Sequence, residues 1–495
     1  PMCDTLEASY NEESGELTSL AESYNMADTK FIMEYEKQLQ EDIATQNFIS
    51  DLISKKPHHI VLSNFQNNKL SKKQIKYLTS YAKKCDFSVK SRIYYYLSLL
   101  TKDHEKYYNM CFETIQKSIM ANAISGIKYN PDFKIAHEKV VANLPVRVNF
   151  GGGWSDTPPY CNENGGTVIN AAITLKGNKP IFARLKKIDK PCIELASVDA
   201  NNARYEFTSI EDLQNCSNPY DPFALHKAAL IACGVIPKTE NIPLAEILKN
   251  LGGGFSLETE VLNVPRGSGL GTSSILAATC VKGIYEFFGI EADNSEYYEK
   301  VMCVEQLMST GGGWQDQIGG FTDDIKFITT TAGLTQNINV EYVDISEDTK
   351  KELNERFALI YTGQRRLARN LLRQVVSKYL SYDEITVDVL NKIQRLATSI
   401  KYELEKGNID AFAKLLTEHW ELSKLLDDGC TNTCIEQIFI SIEDMIDGKF
   451  IAGAGGGGFL QVILKKGVTK EMLSQKLKSV FQDSGVDVWE SEFIF

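Results

Sequence analysis

The sequence lacks the features that would place it in a membrane or on a nucleic acid. Its longest apolar run, 228–236, ends at Pro237 and falls far short of the roughly 18 to 20 residues that cross a bilayer. No basic region followed by an apolar one begins the chain, so we expect no signal peptide. The 53 Lys and Arg residues against 65 Asp and Glu residues give a net charge of −12. This sign argues against nucleic acid or an anionic membrane as the main partner.

Cysteine and histidine spacings typical of metal sites are missing as well. The 11 cysteines include no CxxC pair, and the six histidines are scattered without metal-ligand spacing. We therefore expect neither a disulfide framework nor a zinc site. Cys430 and Cys434 could share one face of a helix, but two ordinary thiols are the simpler interpretation. This cysteine usage indicates a reducing compartment, and we predict a cytoplasmic protein.

The chain is too long for one compact core, because single cores stop growing near about 250 to 300 residues. Residues 1–29 contain seven acidic side chains and no Lys or Arg, which predicts an acidic, disordered tail. Residues 30–130 have apolar residues at helical spacing and few glycines, which predicts a helical linker module. Mixed strand and helix patterns follow. They predict an α+β enzyme core in two lobes, 131–335 and 336–495.

Glycine is ordinary in number, with 34 residues, but it is concentrated in short clusters. The cluster at 265–274, PRGSGLGTSS, lies between a β-rich run and a helical pattern. Glycines let backbone N–H groups approach an anion closely, and the first turn of a helix adds unpaired N–H groups. The alternative is a glycine turn with a Ser cap, and the spacing of a P-loop is absent. We predict a phosphate-binding loop of another kind.

A second cluster, Gly311–Gly313, separates two carboxylates, Glu305 and Asp316. Three glycines break a helix and let the chain turn back, so both carboxylates can face one site. An anion near a helix C-terminus is unfavourable unless a cation compensates it, and a metal ion would be such a cation. The alternative is an exposed Glu at a helix end and an Asp that caps a turn.

Two further glycine clusters point to a ligand. Residues 453–458 satisfy GxGxxG, but a strand pattern follows where a dinucleotide fingerprint requires a helix. A glycine hairpin against a ligand is the better interpretation. Ahead of Gly151–Gly153, Arg147 lies in an apolar strand pattern, where an unpaired guanidinium would be costly, so we expect it to meet an anion. Asp156 follows in a polar loop and could bond sugar hydroxyls. A buried ion pair and an Asx-turn are the alternatives.

Together these segments resemble the GHMP family of small-molecule kinases, over about residues 134–495. The resemblance implies a two-lobed kinase fold, ATP and Mg²⁺ as cofactors, Asp316 as the catalytic carboxylate and Arg147 as the group that stabilises the transferring phosphoryl. It implies Ser273 and Glu305 as metal ligands, although Thr272 replaces the first Ser of the family's PxGxGLGSS loop and leaves open which hydroxyl reaches the metal. The implied ATP contacts are Pro265, Gly267, Ser268, Gly269, Leu270, Gly271, Thr272, Ser273 and Ser274.

Within the family, 149–159 and 311–317 are similar to the branch that phosphorylates an anomeric hydroxyl, which includes fucokinases and heptose 7-phosphate kinases. Segments 221–229, 361–363 and 366–372 look like fucokinase. The implied reaction converts ATP and L-fucose to β-L-fucose 1-phosphate, a salvage step toward GDP-fucose. The implied substrate contacts are Asp156, Trp154, Gly313, Gln315, Tyr361, Gly455 and Gly456.

Fucokinases of this kind can be fused to a guanylyltransferase. The chain has no GGxGTRL-type loop, so we expect it to be the kinase part, with a nucleotidyltransferase domain elsewhere in the full-length protein.

Three alternatives stay open. A heptose 7-phosphate kinase would need a basic pocket, which Arg365, Arg366 and Arg369 could supply. An inactive sugar-binding regulator on the same fold is disfavoured by the presence of both Glu305 and Asp316. The helical residues 30–126 could also serve as an interaction or oligomerisation module. We expect a free sugar and ATP as the partners.

Overall fold

The structure of the protein is a computed structural model that describes residues 10–11, 16–17, 28–65, 69–218, 220–308, 312–364 and 371–495. The chain divides into two compact units. One unit comprises residues 1–114 with 380–383, and the other comprises residues 115–379 with 384–495. Among the helices described, none is both long and apolar enough to span a lipid bilayer.

The described part of the first unit is helical apart from one short strand pair, which confirms the predicted helical module. Side chains that accept hydrogen bonds from first-turn N–H groups fix where three helices begin: Asp28, Ser71 and Asp86. Phe48 and Tyr96 pack edge to face in its core, with ring centroids 5.6 Å apart. The elements are β1 (Tyr10–Asn11), β2 (Glu16–Leu17), α1 (Thr29–Ile53), α2 (His58–Ser63), α3 (Lys72–Ala82), α4 (Phe87–Leu100) and the start of α5 (His104–Ser125). The rest of the predicted tail lies outside the described residues.

The second unit alternates strands and helices. Its strands are β3 (Lys139–Leu144), β4 (Val146–Gly151), β5 (Thr167–Leu175), β6 (Ile181–Ile188), β7 (Ile193–Ser197), β8 (Ala203–Phe207), β9 (Gly254–Val261), β10 (Ile325–Thr330), β11 (Ile338–Tyr342), β12 (Phe357–Thr362), β13 (Ile446–Ile451), β14 (Phe459–Leu464), β15 (Val486–Trp489) and β16 (Ser491–Phe493).

Its helices, after the end of α5, are α6 (Tyr160–Asn164), α7 (Ile210–Gln214), α8 (Ala224–Ala232), α9 (Leu244–Leu251), α10 (Thr272–Phe288), α11 (Asn294–Leu307), α12 (Gln315–Gly319), α13 (Glu347–Arg356), α14 (Leu371–Leu380), α15 (Glu384–Glu405), α16 (Ile409–Leu426), α17 (Thr433–Ser441) and α18 (Lys470–Phe481).

The described residues of the second unit form three sheets. One has the order β3-β6-β9-β7-β8, and a second has the order β13-β14-β12-β15. The third has the order β11-β10-β5-β16, with β4 also paired to β5. All pairs are antiparallel except β7 with β9. This mixture of sheets and helices is the predicted α+β class.

One predicted strand is two strands in the structure. The sequence favours a single extended run over 139–150, but Pro145 separates β3 from β4, and the two strands enter different sheets. Proline has no N–H to donate to a sheet ladder, so the chain leaves one sheet there and joins another. This crossing places the C-terminal end of β4, with its glycines, next to helix α16, where Phe150 contacts Phe412 at 4.9 Å between ring centroids.

Candidate active site

Arg147 on β4 joins two of the predicted motifs. The side chain is only 2% exposed, and its neighbours on the strand are apolar, so its partners must come from other segments. Its Nε donates to Asp316 Oδ1 at 2.7 Å, and its Nη2 donates to the same oxygen. Its Nη1 donates to the backbone oxygen of Gly269 at 2.9 Å. The guanidinium therefore ties the carboxylate to the glycine loop.

The glycine loop presents its backbone to the same place. Gly267, Gly269 and Gly271 all have φ between +72° and +81°, a region that side chains disfavour. Gly271 precedes α10, and no side chain caps that helix, so its first-turn N–H groups are open to a ligand. A Cβ on Gly271 would lie 3.1 Å from Cγ of Asp316. Backbone donors and a carboxylate thus meet at the start of α10.

The glycine cluster at 453–458 packs against the same loop. A Cβ on Gly269 would overlap the backbone oxygen of Ala452, and a Cβ on Gly453 would come within 2.8 Å of Gly269 Cα. The N–H of Phe459 donates to the backbone oxygen of Ser268 at 3.1 Å. The small residues therefore permit two backbones to touch, and they hold the loop in its conformation.

Asp156 lies in the loop that follows β4. It is only 1% exposed, and its oxygens accept hydrogen bonds from the N–H groups of Trp154 and Gln315, each at 3.1 Å. A Cβ on Gly313 would overlap Asp156 Oδ2. Burial raises the pKa of Asp156 to about 6. The hydrogen bond from the N–H of Gln315 lowers this pKa, and the neighbouring Asp316 carboxylate raises it. At neutral pH the group is mainly an acceptor.

These residues surround a cavity of about 320 Å³ that has both polar and apolar walls. It is large enough for a monosaccharide, and Gly269 and Gly271 bring the glycine loop to its edge. Its lining comprises Arg147, Asn149, Gly153, Trp154, Asp156, Thr157, Gly269, Gly271, Gly312, Gly313, Gln315, Asp316, Leu372, His419, Ser423, Cys430, Phe450, Ile451, Gly453 and Ala454. Besides the two loop glycines, six of the predicted site residues thus share one cavity: Arg147, Trp154, Asp156, Gly313, Gln315 and Asp316.

Other predicted residues lie outside this lining. Seven of them belong to the glycine loop and the first turn of α10: Pro265, Gly267, Ser268, Leu270, Thr272, Ser273 and Ser274. Of these, Ser268 and Leu270 are buried, and Ser273 is exposed. Gly455 and Gly456 pack against the backbone of Gly429 and Cys430.

The structure does not bring Tyr361 to the cavity. Its ring lies 5.2 Å from that of Phe459 and 5.4 Å from that of Trp489, within the sheet that contains β12.

Glu305 does not line the main cavity, but it lies next to Gly312, which does. Together with Pro158, Trp314 and Gln317 it lines a separate cavity of about 50 Å³, and Gly312 lines both. A Cβ on Gly312 would stand 4.0 Å from Glu305 Oε2. Within the described residues no cluster of three or more His, Cys, Asp or Glu side chains forms a metal cage. Mg²⁺ commonly binds to only one or two protein oxygens and completes its shell with phosphate and water. An exposed Ser hydroxyl and a carboxylate are oxygen donors of that type.

Sequence reasoning missed several lining residues. Asn149 could have been found, because it follows Arg147 at the strand period of two and is an equally anomalous polar residue in an apolar strand. His419 and Phe450 carried no such signal. They come from α16 and β13, and only the folded packing stacks their rings 4.3 Å apart beside the cavity. Burial lowers the pKa of His419 to about 4, so this imidazole is neutral.

The chain is similar to proteins of known family. Residues 241–321, which contain the glycine loop, match the family described as GHMP kinases N terminal domain. The chain is 37% identical over 369 residues to a bifunctional fucokinase/GDP-fucose pyrophosphorylase of Arabidopsis thaliana. It is 33% identical over 373 residues to an L-fucokinase/L-fucose-1-P guanylyltransferase of Bacteroides fragilis. Each match covers 74% of this chain, which confirms the predicted resemblance.

The two relatives are much longer, because this chain spans 33% of the first and 39% of the second. Among solved structures, a D-glycero-D-manno-heptose 1-phosphate kinase from Bacteroides thetaiotaomicron aligns with a TM-score of 0.52 at 19% identity. That alignment covers 72% of this chain and 96% of the other. The shared fold confirms the predicted fold class.

The raised pKa of Asp156 predicts a dependence of stability on pH. Its folded-state pKa of about 6 lies above the ordinary 3.8 of an unfolded chain, so its contribution is fully present below pH about 4 and is lost as pH rises through 6. Relative to Asp156→Asn, we expect the wild-type free energy of unfolding to fall by about 2 kcal/mol between pH 4 and 7. Urea unfolding of both proteins across this range measures the difference, and a constant difference would contradict the assignment.

Proposed function

From the premise that this chain contains a GHMP kinase domain, we propose that it is an ATP-dependent kinase that phosphorylates the C1 hydroxyl of L-fucose to give β-L-fucose 1-phosphate. The observation that carries the proposal is the position of Arg147, which bonds Asp316 and the glycine loop at once. Phosphoryl transfer requires mainly alignment and charge neutralisation, and this arrangement supports both. The fucokinase relatives support the choice of sugar.

In the proposed reaction the backbone N–H groups of 267–271 and of the first turn of α10 bind the ATP phosphates. Asp316 accepts the proton of the C1 hydroxyl as its oxygen forms a bond to the γ-phosphorus. The bond from that phosphorus to the β,γ-bridging oxygen breaks, and ADP leaves. The guanidinium of Arg147 stabilises the negative charge on the transferring group. Ser273 and Glu305 would bind Mg²⁺, which supplies charge that neutralises the phosphate oxygens.

The cavity fits a neutral sugar better than a sugar phosphate. Arg147 is the one Lys or Arg among its described lining residues, and it is already paired with Asp316. His419 is neutral because burial lowers its pKa. No lining cation that the structure describes is left for a second phosphate, which disfavours a heptose 7-phosphate. The basic residues that could have served one, Arg365, Arg366 and Arg369, lie outside the described residues.

The apolar part of the lining favours a deoxy sugar. Trp154, Leu372, Phe450 and Ile451 face the same cavity as Asp156. L-Fucose has a methyl group where most hexoses have a hydroxymethyl group, and an apolar wall would bury that methyl favourably. Asp156 would accept hydrogen bonds from the ring hydroxyls on the other side.

Further parts of the proposal rest on the relatives. Both are named for a second activity, that of a GDP-fucose pyrophosphorylase or an L-fucose-1-P guanylyltransferase. We propose that such a nucleotidyltransferase domain belongs to the same full-length protein, ahead of the helical module, and uses the product of this kinase in the salvage of fucose. A cytoplasmic location is proposed from the cysteine usage. The linker role of residues 30–130 and the two kinase lobes divided near residue 335 are proposed from the sequence patterns.

The test is ADP formation with MgATP and free L-fucose, D-arabinose, D-mannose, galactose or heptose 7-phosphate. We expect the highest kcat/KM with L-fucose, and an acid-labile product, as an anomeric phosphate is. A preference for the heptose phosphate would replace the proposal with that kinase. No ADP release with any sugar would favour an inactive sugar-binding regulator.

Asp316→Asn should separate chemistry from nucleotide binding. An amide cannot accept the C1 proton, so we expect kcat to fall by about 10²-fold or more while MgATP still binds. Steady-state kinetics and calorimetric titration of MgATP measure the two effects. Turnover close to that of the wild type would remove Asp316 from the chemistry.

Gly313→Ala should weaken sugar binding by steric displacement of Asp156. The added methyl overlaps Asp156 Oδ2, and we expect KM for the sugar to rise by about 10- to 100-fold as the carboxylate loses its position. Gly312→Ala is the matched control, because Glu305 Oε2, at 4.0 Å, is the nearest atom to its methyl among the described residues. Equal effects of the two substitutions would contradict the role of Asp156.

A further inference from the structure

Asn149 is a buried polar residue that the proposed reaction does not use. It lies two residues beyond Arg147 on β4, it is only 5% exposed, and it lines the cavity. A buried amide is costly unless its polar atoms find partners. The partners of this amide therefore indicate what it is for.

One half of the amide is already occupied. Asn149 Oδ1 accepts a hydrogen bond from the N–H of Gly151 at 3.1 Å. The pairing of β4 with β5 shifts register between Asn149 and Gly151, as at a β-bulge. Bulges change the direction of a strand's side chains and are common beside active sites. The local backbone therefore fixes which end of the amide is the oxygen and holds the side chain in one orientation.

The other half is available to a ligand. Asn149 Nδ2 donates a hydrogen bond to none of the residues that the structure describes. The side chain lines the cavity, and this nitrogen is not one of the fully buried atoms. A Cβ on Gly153 would lie only 2.5 Å from this nitrogen. Because residue 153 has no side chain, the amide has room at the cavity wall. The site presents a fixed donor with no partner in the protein.

We propose that Asn149 is a specificity-determining residue whose Nδ2 donates a hydrogen bond to one ring hydroxyl of the sugar. The proposal rests on the proposed function, because it requires a sugar in this cavity. Asp156 offers acceptors and Asn149 offers a donor, so the cavity can satisfy both the proton and the lone pairs of sugar hydroxyls. Sugars that lack an accepting hydroxyl at this point leave the amide unpaired and bind more weakly.

The test combines a substitution with deoxy sugars. Asn149→Asp has the same shape and keeps an oxygen for the N–H of Gly151, but it has no donor at neutral pH. Kinetic constants are measured for wild type and variant with L-fucose and its 2-deoxy, 3-deoxy and 4-deoxy derivatives, at saturating MgATP. We expect KM for L-fucose to rise about tenfold or more while kcat changes by less than about threefold. For one deoxy sugar, wild type and variant should have similar KM values.

Controls separate this role from a structural one. Asn143→Asp makes the same change on an exposed position of β3 and should leave both constants unchanged. If Asn149→Asp raised KM equally for every sugar, or lowered kcat alone, Asn149 would only stabilise β4, and the proposal would be overturned. If the variant fails to fold, the wild-type series still tests the proposal, because equal KM values for all four sugars would overturn it.

The outcome for L-fucose itself tests the proposed function separately. If the wild type prefers another sugar, KM and kcat of the wild type and of Asn149→Asp are measured with that sugar and its deoxy derivatives. The role of Asn149 is then tested independently of the proposal for L-fucose.

Discussion

The hydrogen bonds of Arg147 are the interaction on which the rest of the site depends. A guanidinium that is almost fully buried is tolerated only where its donors are paired, and here the partners are Asp316 and the backbone oxygen of Gly269. These partners come from segments 169 and 122 residues further along the chain. The pairing therefore brings the strand β4, the carboxylate and the glycine loop into one geometry before any ligand binds.

Glycine allows that geometry to close. A side chain on Gly269 would overlap the backbone of Ala452, and one on Gly313 would overlap Asp156. The clusters are thus not flexible spacers but places where two segments touch without room for a Cβ. Protein atoms then stand close to where phosphates and hydroxyls would bind. A small shift of such groups weakens phosphoryl transfer strongly, because catalysis of this reaction is mainly a matter of position and charge.

Sequence reasoning found the elements whose signals are local. The strand pattern that follows residues 453–458 is β14, and the helical pattern that follows the glycine loop is α10. Arg147 is predicted from a charge in an apolar strand pattern, and Asp156 and Asp316 are predicted from their positions after glycine clusters. All three line one cavity.

Residues whose place depends on distant packing could not be predicted in this way. His419 and Phe450 reach the cavity from α16 and β13, whereas the side chain of Tyr361 packs against Phe459 and is not among the residues that line the cavity. Strand periodicity shows that alternate residues share a face, but it does not show which neighbour covers that face.

The most direct measurement is a crystal structure of this chain with L-fucose, Mg²⁺ and a non-hydrolysable ATP analogue. The account predicts the triphosphate on the backbone of 267–271 and the C1 hydroxyl within about 2.6 to 3.2 Å of the Asp316 carboxylate. A sugar bound outside this cavity, or one whose C1 hydroxyl faces away from Asp316, would contradict the account.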